Sequence, residues 1–297
     1  MDLSSKRTIK NLLKKHKIRP SKGFGQNFLV DREITKKVIE AAGLKPNDAV
    51  LEIGPGLGVL TVKLAKLAKE VMAVEKDPKM VEILKESLEW WDIRNVEIVN
   101  KDILKLIPET CNLKAKTYKV VANLPFYLTA PVIRKFLESD EPPKEMILIV
   151  QKEVGQRICS KPPEMNLLAV SVQFYAEPKI ISYISKKSFW PSPEVDSAII
   201  KISNIKNRAP SSRGGGEGEE EGKALFAFQK SKIDRNLFFK IIRAGFSQPR
   251  KQLINNLKKL NLDREKIENW LLKNKIQPTQ RAETLEVGDW FNLTKTQ

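Results

Sequence analysis

Short apolar segments alternate with helical segments through the first two thirds of this chain, and this alternation limits its possible folds most. Apolar runs of strand length occur at 49–53, 70–75, 96–100, 118–123 and 146–151. Helical spacing of apolar residues occurs at 31–42, 59–68, 77–90, 131–138 and 152–160. Strands that alternate with helices are typical of a parallel sheet with helices on both faces. We therefore predict an α/β fold with a doubly wound, mostly parallel sheet.

Further apolar segments near 172–176, 179–184 and 197–202 follow without long helices between them. Strands joined by short connections pair in the antiparallel direction, because a parallel crossover needs a dozen or more residues. The sequence therefore predicts an antiparallel hairpin at one edge of the sheet.

The pattern changes after Asn207. Residues 209–222 are rich in Gly, Ser and Glu and contain too few apolar side chains to build a core. Beyond them only helical patterns remain, near 234–245, 249–259, 263–274 and 284–294. We predict an α/β domain over 1–208 with a basic N-terminal extension, a flexible linker or insertion at 209–222, and a small all-helical domain over 223–297.

Charge favours a polyanionic partner. The chain carries 53 Lys and Arg against 36 Asp and Glu, a formal net charge of +17. Residues 1–30 hold eight Lys or Arg and one acid, and residues 230–275 hold thirteen and four. Such clusters gain free energy by releasing counterions from a nucleic acid. An anionic membrane is the weaker alternative, since no Trp- and Phe-rich amphipathic helix stands out.

The sequence disfavours membrane-spanning proteins, secreted proteins and enzymes that depend on histidine or a metal. No apolar run approaches the roughly 18 residues of a membrane-spanning helix, and residues 1–20 do not resemble a signal peptide. We therefore expect a cytoplasmic protein. The single histidine, His16, stands in a basic run and is predicted to be solvated. Because His16 is the only histidine, we expect chemistry that does not use histidine. Cys111 and Cys159 show no CxxC spacing, so we also expect no metal.

A glycine loop, Gly54-Pro55-Gly56-Leu57-Gly58, follows the first of these strands. Glycines at this place allow a tight turn and a close approach of the backbone to a ligand. A purely structural turn is the alternative. The dinucleotide fingerprint GxGxxG would require Gly or Ala at position 59, which is Val, so an NAD oxidoreductase is disfavoured.

Carboxylates stand at the ends of the neighbouring strands. Glu52 lies just before the glycine loop, Glu75 ends the strand 70–75, and Asp102 lies just past the strand 96–100. Because the carboxyl ends of parallel strands meet at one edge of the sheet, these acids outline a single crevice. Glu75 can accept hydrogen bonds from both ribose hydroxyls of an adenosine ligand, and Asp102 can accept one from the adenine amino group.

The tetrapeptide Asn123-Leu124-Pro125-Phe126 ends the strand 118–123. A strand-ending turn is one interpretation. The other is chemical: the asparagine oxygen and a nearby backbone carbonyl can accept both N–H protons of an adenine N6 amine. Proline holds the carbonyl in place, and Phe126 offers a face on which the base can stack. Displacement at a methyl sulfonium then depends on proximity and alignment more than on a general base.

These features resemble class I S-adenosylmethionine-dependent methyltransferases, and further motifs make the resemblance specific. Over roughly 20–295, apart from the insertion at 209–222, the chain resembles the KsgA-type small-subunit rRNA adenine N6,N6-dimethyltransferases, and its motifs follow in the same order. The motifs that carry it are Gly23-Phe24-Gly25-Gln26-Asn27-Phe28-Leu29, the tetrapeptide 123–126, Gln151-Lys152-Glu153-Val154, the segment 189–197 (FWPSPEVDS) and the segment 246–251 (FSQPRK).

The resemblance implies a Rossmann-like class I fold, two adjacent adenines near the 3′ end of small-subunit rRNA as substrate, and S-adenosylmethionine as methyl donor. It implies cofactor contacts at Asn27, Leu29, Gly54, Gly56, Glu75, Asp102 and Asn123, and catalysis by Asn123, Leu124, Pro125 and Phe126. Phe189 is a second stacking candidate, with edge-strand core as its alternative role. We further expect Arg243, Arg250 and Lys251 to bind RNA, no metal, a pre-ribosomal particle as partner, and a monomer.

Two departures from the family pattern stand out. Many relatives have Tyr where this chain has Phe126, and the Gly- and Glu-rich insertion puts acids beside a basic domain. Two alternative functions stay open: a methyltransferase for large-subunit rRNA adenine, and a non-catalytic assembly factor on the same fold. The segments 246–251 and 281–285 favour the small-subunit enzyme over the first, and intact Glu75, Asp102 and Asn123 argue against the second.

Overall fold

The computed structural model describes residues 2–21, 23–106, 118–206 and 233–297. The predicted linker at 209–222 and Cys111 lie outside these residues. The chain divides into two compact units, one containing 1–156 and 176–209 and the other containing 157–175 and 210–297. This division differs from the predicted boundary at 208, because residues 157–175 group with the C-terminal helices.

The first unit is built on a seven-stranded sheet in its described part. The strand order is β4-β3-β2-β5-β6-β9-β7. The pairs from β4 to β6 are parallel, and β9 pairs antiparallel with both β6 and β7. The predicted mostly parallel sheet with an antiparallel edge is confirmed. The strands are β1 Phe28–Leu29, β2 Ala49–Ile53, β3 Glu70–Glu75, β4 Val96–Asn100, β5 Tyr118–Asn123, β6 Glu145–Gln151, β7 Glu177–Ile184, β8 Phe189–Trp190 and β9 Ser197–Ser203, with β1 and β8 forming a separate antiparallel ribbon.

Polar N-cap residues mark the starts of two helices of this unit. Asp31 and Asp77 accept hydrogen bonds from backbone N–H groups of the following first turns, as N-cap residues do. Pro78 occupies the first turn of its helix, where its missing N–H costs nothing. The helices are α1 Lys6–Lys15, α2 Arg32–Ala42, α3 Thr61–Ala65, α4 Pro78–Trp90, α5 Thr129–Leu137 and α6 Lys152–Ile158, the last of which crosses the boundary between the units.

The N-terminal extension folds as helix α1, which the sequence interpretation did not include. Its apolar residues Ile9, Leu12 and Leu13 recur at helical spacing and are buried in the core of the unit. The prediction that His16 is solvated is wrong. Its side chain is only 18% exposed, and its Nε2 lies 2.8 Å from Glu86 Oε2. The many Lys and Arg residues of α1 made its narrow apolar face difficult to recognise in the sequence.

A buried ion network lies at the amino end of the sheet. Lys119, at 5% exposure, donates to the carbonyls of Ala42 and Gly43 at 2.8 and 2.9 Å. Its Nζ also lies 3.2 Å from Asp48 Oδ2 and 3.5 Å from Glu145 Oε2. The ammonium therefore satisfies the C-terminal carbonyls of α2 while joining them to β5 and β6.

The second unit is helical in its described part. A cluster of aromatic rings forms its core, with Phe174 packing 4.4 Å from Phe238 and 5.3 Å from Phe291 between ring centroids. The strand predicted near 172–176 is wrong, because these residues end a helix and contribute to that cluster. None of the described helices of the chain has the length and low polarity needed to span a bilayer. The helices of this unit are α7 Leu167–Gln173, α8 Arg235–Gly245, α9 Leu253–Leu257, α10 Arg264–Lys273 and α11 Val287–Thr296.

Candidate active site

A pocket in the first unit opens at the carboxyl ends of the parallel strands. From β2 the chain continues through β3 and β4 towards one edge of the sheet, and it then returns to form β5 next to β2. The strand order therefore reverses between β2 and β5, and a crevice forms at this point. Every residue that the sequence predicted for the cofactor and the target base lines this pocket. They are Asn27, Leu29, Gly54, Gly56, Glu75, Asp102, Asn123, Leu124, Pro125, Phe126 and Phe189.

The glycine loop needs glycine because of its backbone conformation. Gly54 and Gly56 adopt φ values of 67° and 55°, in the left-handed region that disfavours side chains. A Cβ on Gly56 would make only an ordinary contact with the ring of Phe28, at 3.5 Å, so the backbone conformation and not a lack of space favours glycine there. The loop N–H of Gly56 donates to Glu75 Oε2 at 3.2 Å, so the loop and the end of β3 hold each other in place.

The carboxylate of Glu75 is oriented by backbone donors. Its Oε1 accepts from the N–H of Asp77 at 2.9 Å, and its Oε2 accepts from Gly56. The residue is 8% exposed, and burial raises the pKa of its carboxyl above the usual value, although the backbone donors oppose this effect. The result is a rigid acceptor on the pocket wall.

Asp102 lies at the rim of the pocket beside a lysine. Its Oδ2 lies 2.9 Å from Lys76 Nζ, and its Oδ1 accepts from Leu104 N at 3.0 Å. The hydrogen bond from Lys76 holds the pKa of this carboxyl below its usual range, so Asp102 stays ionised. Lys76 also lines the pocket and was missed by sequence reasoning, which had only its position next to Glu75 as a signal.

The tetrapeptide is held by the segment 23–29. Asn123 Nδ2 donates to the carbonyl of Asn27 at 3.1 Å, which orients Oδ1 as the acceptor of this amide. Gly25 has a φ of 62°, and a Cβ there would lie 2.9 Å from Pro125 Cβ. Gln26, another residue that sequence reasoning missed, donates to Asp77 Oδ2 at 2.8 Å. The segment therefore packs directly on the tetrapeptide and is anchored to the start of α4.

Two phenylalanines contribute aromatic surface to the pocket. Phe126 begins a short 3₁₀ turn over residues 126–128 and is half-buried. Phe189 is 5% exposed and pairs with Leu29 in the ribbon of β1 and β8. Both rings line the pocket. This position is compatible with stacking for either ring, and for Phe189 also with a core role.

Glu52 is a buried acid for which the sequence indicated no specific role. The residue is 1% exposed, and its Oε2 has no hydrogen-bond partner among the described residues. Burial raises the pKa of this carboxyl to about 8, and the nearby charge of Glu75 acts in the same direction. At neutral pH the group is therefore mostly protonated, so an uncharged acid lies under the glycine loop.

The pH dependence of stability tests this state of Glu52. Because its pKa is about 8 in the folded protein against a reference of 4.5, its stabilising contribution is full below pH 4.5 and is lost as pH rises towards 8. We expect Glu52→Gln to match the wild type near pH 4.5 and to become progressively more stable than it up to pH 8. Thermal midpoints at three pH values measure this, and a difference that does not vary with pH contradicts it.

The predicted RNA-binding residues lie in the second unit. Arg243, Arg250 and Lys251 are all exposed, and Arg243 Nε donates to the carbonyl of Phe239 at 2.9 Å. They do not line the pocket. Within the described ranges, no group of three His, Cys, Asp or Glu side chains is arranged to hold a metal ion.

Comparison with known proteins agrees with this geometry. The family model described as ribosomal RNA adenine dimethylase matches residues 15–213. A protein of Dehalococcoides mccartyi named ribosomal RNA small subunit methyltransferase A is 39% identical over 285 residues, covering 96% of this chain and 90% of that protein. A protein of the same name from Clostridium botulinum is 36% identical over 287 residues, covering 96% of each chain.

Solved structures show the same fold. The crystal structure of a dimethyladenosine transferase from Plasmodium falciparum is 26% identical and matches with a TM-score of 0.68 over 89% of this chain and 95% of that one. The 23S rRNA methyltransferase ErmE, at 24% identity, matches with a TM-score of 0.66 over 91% and 99%. The family model covers more than half of the chain, and the curated relatives extend along nearly all of it. This chain therefore belongs to the ribosomal RNA adenine dimethylase family.

Proposed function

We propose that this protein transfers methyl groups from S-adenosylmethionine to N6 of two adjacent adenines in the 3′-terminal hairpin of small-subunit rRNA, giving N6,N6-dimethyladenosines. The observation that carries the proposal is the convergence of Glu75, Asp102 and the oriented amide of Asn123 on one pocket. The names of the curated relatives support small-subunit rRNA as the substrate. We also infer that the protein acts as a monomer in the cytoplasm, on a pre-ribosomal particle.

The pocket residues fit the proposed methyl donor. Glu75 has a fixed carboxylate suited to the ribose hydroxyls, and Asp102 is an ionised acceptor suited to the adenine amine. The glycine loop has no side chains at Gly54 and Gly56, whose left-handed backbone disfavours them, and this leaves room for the amino-acid part of S-adenosylmethionine. Asn27 and Leu29 would cover the donor from the segment 23–29. When bound, S-adenosylmethionine supplies a methyl group on a positively charged sulfur.

The tetrapeptide is proposed to orient the target amine. Asn123 Oδ1 and the carbonyl of Leu124, held by the following Pro125, would accept the two N6 protons, while Phe126 stacks on the base. This arrangement directs the nitrogen lone pair towards the methyl carbon. With the donor bound, the nitrogen would accept the methyl group while the sulfur keeps the electron pair of the broken S–C bond, and the N6 proton would leave to solvent. Alignment replaces a general base in this scheme.

The exposed cations of the second unit are proposed to bind rRNA phosphates. We expect replacement of Arg243, Arg250 and Lys251 by Gln to weaken binding to small subunits and to flatten its salt dependence. The slope of log affinity against log salt should fall by about one unit per lost phosphate contact. Lys266→Gln is a matched control, because Lys266 already pairs with Asp263 at 3.2 Å. An unchanged slope in the triple variant would reject the assignment.

Methyl transfer from labelled S-adenosylmethionine to immature small subunits that lack the modification tests the function. Nucleoside analysis should find N6,N6-dimethyladenosine in the small-subunit rRNA. Transfer to large-subunit rRNA instead would favour the first alternative function. Binding of the particle with no methyl transfer would favour the assembly factor.

A further inference from the structure

A buried hydroxyl on the wall of the catalytic pocket lacks a hydrogen-bond partner. Ser197, the first residue of β9, is 1% exposed, and its Oγ bonds to none of the described residues. Leaving a buried hydroxyl unpaired costs free energy, so a group of this kind in a pocket suggests a ligand that completes it. Of the side chains with a buried, unpaired polar atom in the described part of the chain, two line the pocket, Glu52 on β2 and Ser197 on β9.

Ser197 lies on the side of the pocket that is proposed to hold the target base. The proposed ribose and adenine contacts of the methyl donor follow β3 and β4, on one side of β5. The tetrapeptide ends β5, and β9 lies two strands beyond it on the opposite side, in the order β5-β6-β9. Phe189 and Pro193, which precede Ser197 in the segment 189–197, also line the pocket. The hydroxyl is therefore grouped with the proposed base-binding residues and not with the donor site.

The position of Ser197 in the sheet determines the direction of its side chain. Successive side chains of a strand point to opposite faces of the sheet. Ala198 lies against Gly155 of α6, where an added Cβ would be 3.2 Å from the Ala198 Cβ. Ser197 and Ile199 therefore point to the other face, and Ile199 belongs to the same buried cluster as Phe189. At the carboxyl end of β6 this face opens into the pocket, and Ser197 lies there.

The backbone before Ser197 is fixed from two directions. The carbonyl of Asp196 accepts from the N–H of Lys152 at 2.9 Å, and Asp196 Oδ1 accepts from the N–H of Lys186 at 3.0 Å. Ser197 itself pairs with residues of both β6 and β7. The hydroxyl is thus positioned before a substrate binds, which lowers the entropic cost of a new hydrogen bond.

We propose that the Ser197 hydroxyl donates a hydrogen bond to a ring nitrogen of the target adenine, and that Ser197 is a specificity-determining residue. Asn123 and Leu124 recognise only the exocyclic amine, a group that cytosine also carries, so a contact with the ring adds information about the base. Neighbouring strands are about 4.8 Å apart, which places β9 roughly 10 Å from β5. A purine held at its amine by the end of β5 extends across this space. The inference rests on the proposed function, because it takes the adenine N6 amine as the group held by the tetrapeptide.

Atomic substitution of the base tests the hydrogen bond. Small subunits are reconstituted with rRNA that carries 1-deaza-, 3-deaza- or 7-deazaadenosine at the target positions, and kcat/KM for methyl transfer is compared with that for adenosine. For the wild type we expect a loss of about 10-fold with one of the three analogues, the usual effect of one hydrogen bond in a buried site. Ser197→Ala should lose about 10-fold on adenosine and nothing more on that analogue, because the two changes remove the same bond. Ser203→Ala, at the other end of β9, is the matched control and should behave as the wild type.

Two further measurements separate this role from a structural one. Because Ser197→Ala removes a buried hydroxyl that has no partner, its thermal midpoint should be at least as high as that of the wild type. Its affinity for S-adenosylmethionine should be unchanged. A clearly lower midpoint would show that the hydroxyl stabilises the fold, and a lower affinity for the methyl donor would assign it to the donor site. Either result overturns the proposal.

The remaining outcomes distinguish Ser197 from the proposed function. A wild type that is insensitive to all three analogues overturns the role of Ser197 and leaves the function intact. The same conclusion follows if Ser197→Ala loses as much on each analogue, relative to adenosine, as the wild type does. A wild type that transfers no methyl group to adenosine in small subunits overturns the proposed function, and the role of Ser197 with it.

Discussion

We expect replacement of Asn123 by Ala to lower the rate of methyl transfer by about 10²–10³-fold, the range observed when one oriented transition-state hydrogen-bond partner is removed. The amide of Asn123 is oriented by the carbonyl of Asn27 at 3.1 Å, which makes its Oδ1 available to the target amine. Alanine removes this acceptor and also the contact with the segment 23–29. Single-turnover methyl transfer to immature small subunits measures the effect separately from product release.

Asn123→Asp serves as the matched control. It retains an oxygen acceptor of the same length but cannot donate to Asn27, so we expect a rate between those of the wild type and Asn123→Ala. Calorimetric binding of S-adenosylmethionine reports the cofactor side of the site for both variants. A wild-type rate in Asn123→Ala would show that the tetrapeptide is a strand-ending turn without a catalytic role.

We expect replacement of Lys119 by Met to cost about 3–5 kcal/mol of folding free energy, the usual consequence of removing one partner from a buried ion network. The ammonium is the shared partner of Asp48, Glu145 and the last carbonyls of α2. Methionine fills the space of the stem but leaves these oxygens without a donor in a buried site. Thermal and denaturant unfolding of the full chain measure the loss.

Lys201→Met provides the comparison for Lys119. Lys201 Nζ also pairs with Glu145, at 2.9 Å, but its side chain is 27% exposed, so water can replace part of the lost interaction. We expect a clearly smaller loss of stability. Because Lys119 lies at the amino end of β5 and the pocket at its carboxyl end, the folded fraction of Lys119→Met should retain its binding of S-adenosylmethionine. Equal stability of the two variants would contradict the buried network.

The site residues predicted from the sequence line one pocket because their positions follow from local rules. Glu75, Asp102 and Asn123 each lie at or just past the end of an apolar strand, and parallel strands bring their carboxyl ends together. The left-handed φ values of Gly54 and Gly56 likewise agree with a loop that requires glycine. In each case the short-range pattern and the tertiary arrangement favour the same structure.

The errors have a common physical origin. Residues 172–176 are apolar enough for a strand, yet Phe174 packs into an aromatic cluster with α8 and α11 that no local pattern reveals. In the same way, the charges of α1 hid Ile9, Leu12 and Leu13, whose helix is stabilised by burial in the core. Isolated helices of this length are marginal in water, so packing decides whether they form.

The sequence by itself determined the sheet, the order of its motifs and the residues that meet at its carboxyl edge, because strand and loop preferences act over a few residues. Only the tertiary structure decided which charges are compensated. Among the described residues, Lys15 pairs with Glu86, 71 positions away in the chain, while Lys10 and Lys14 pair with no carboxylate. Lys119 is buried among carboxylates and carbonyls from three separate segments of the chain. Such pairings depend on distances between remote segments, which arise only when the chain has folded.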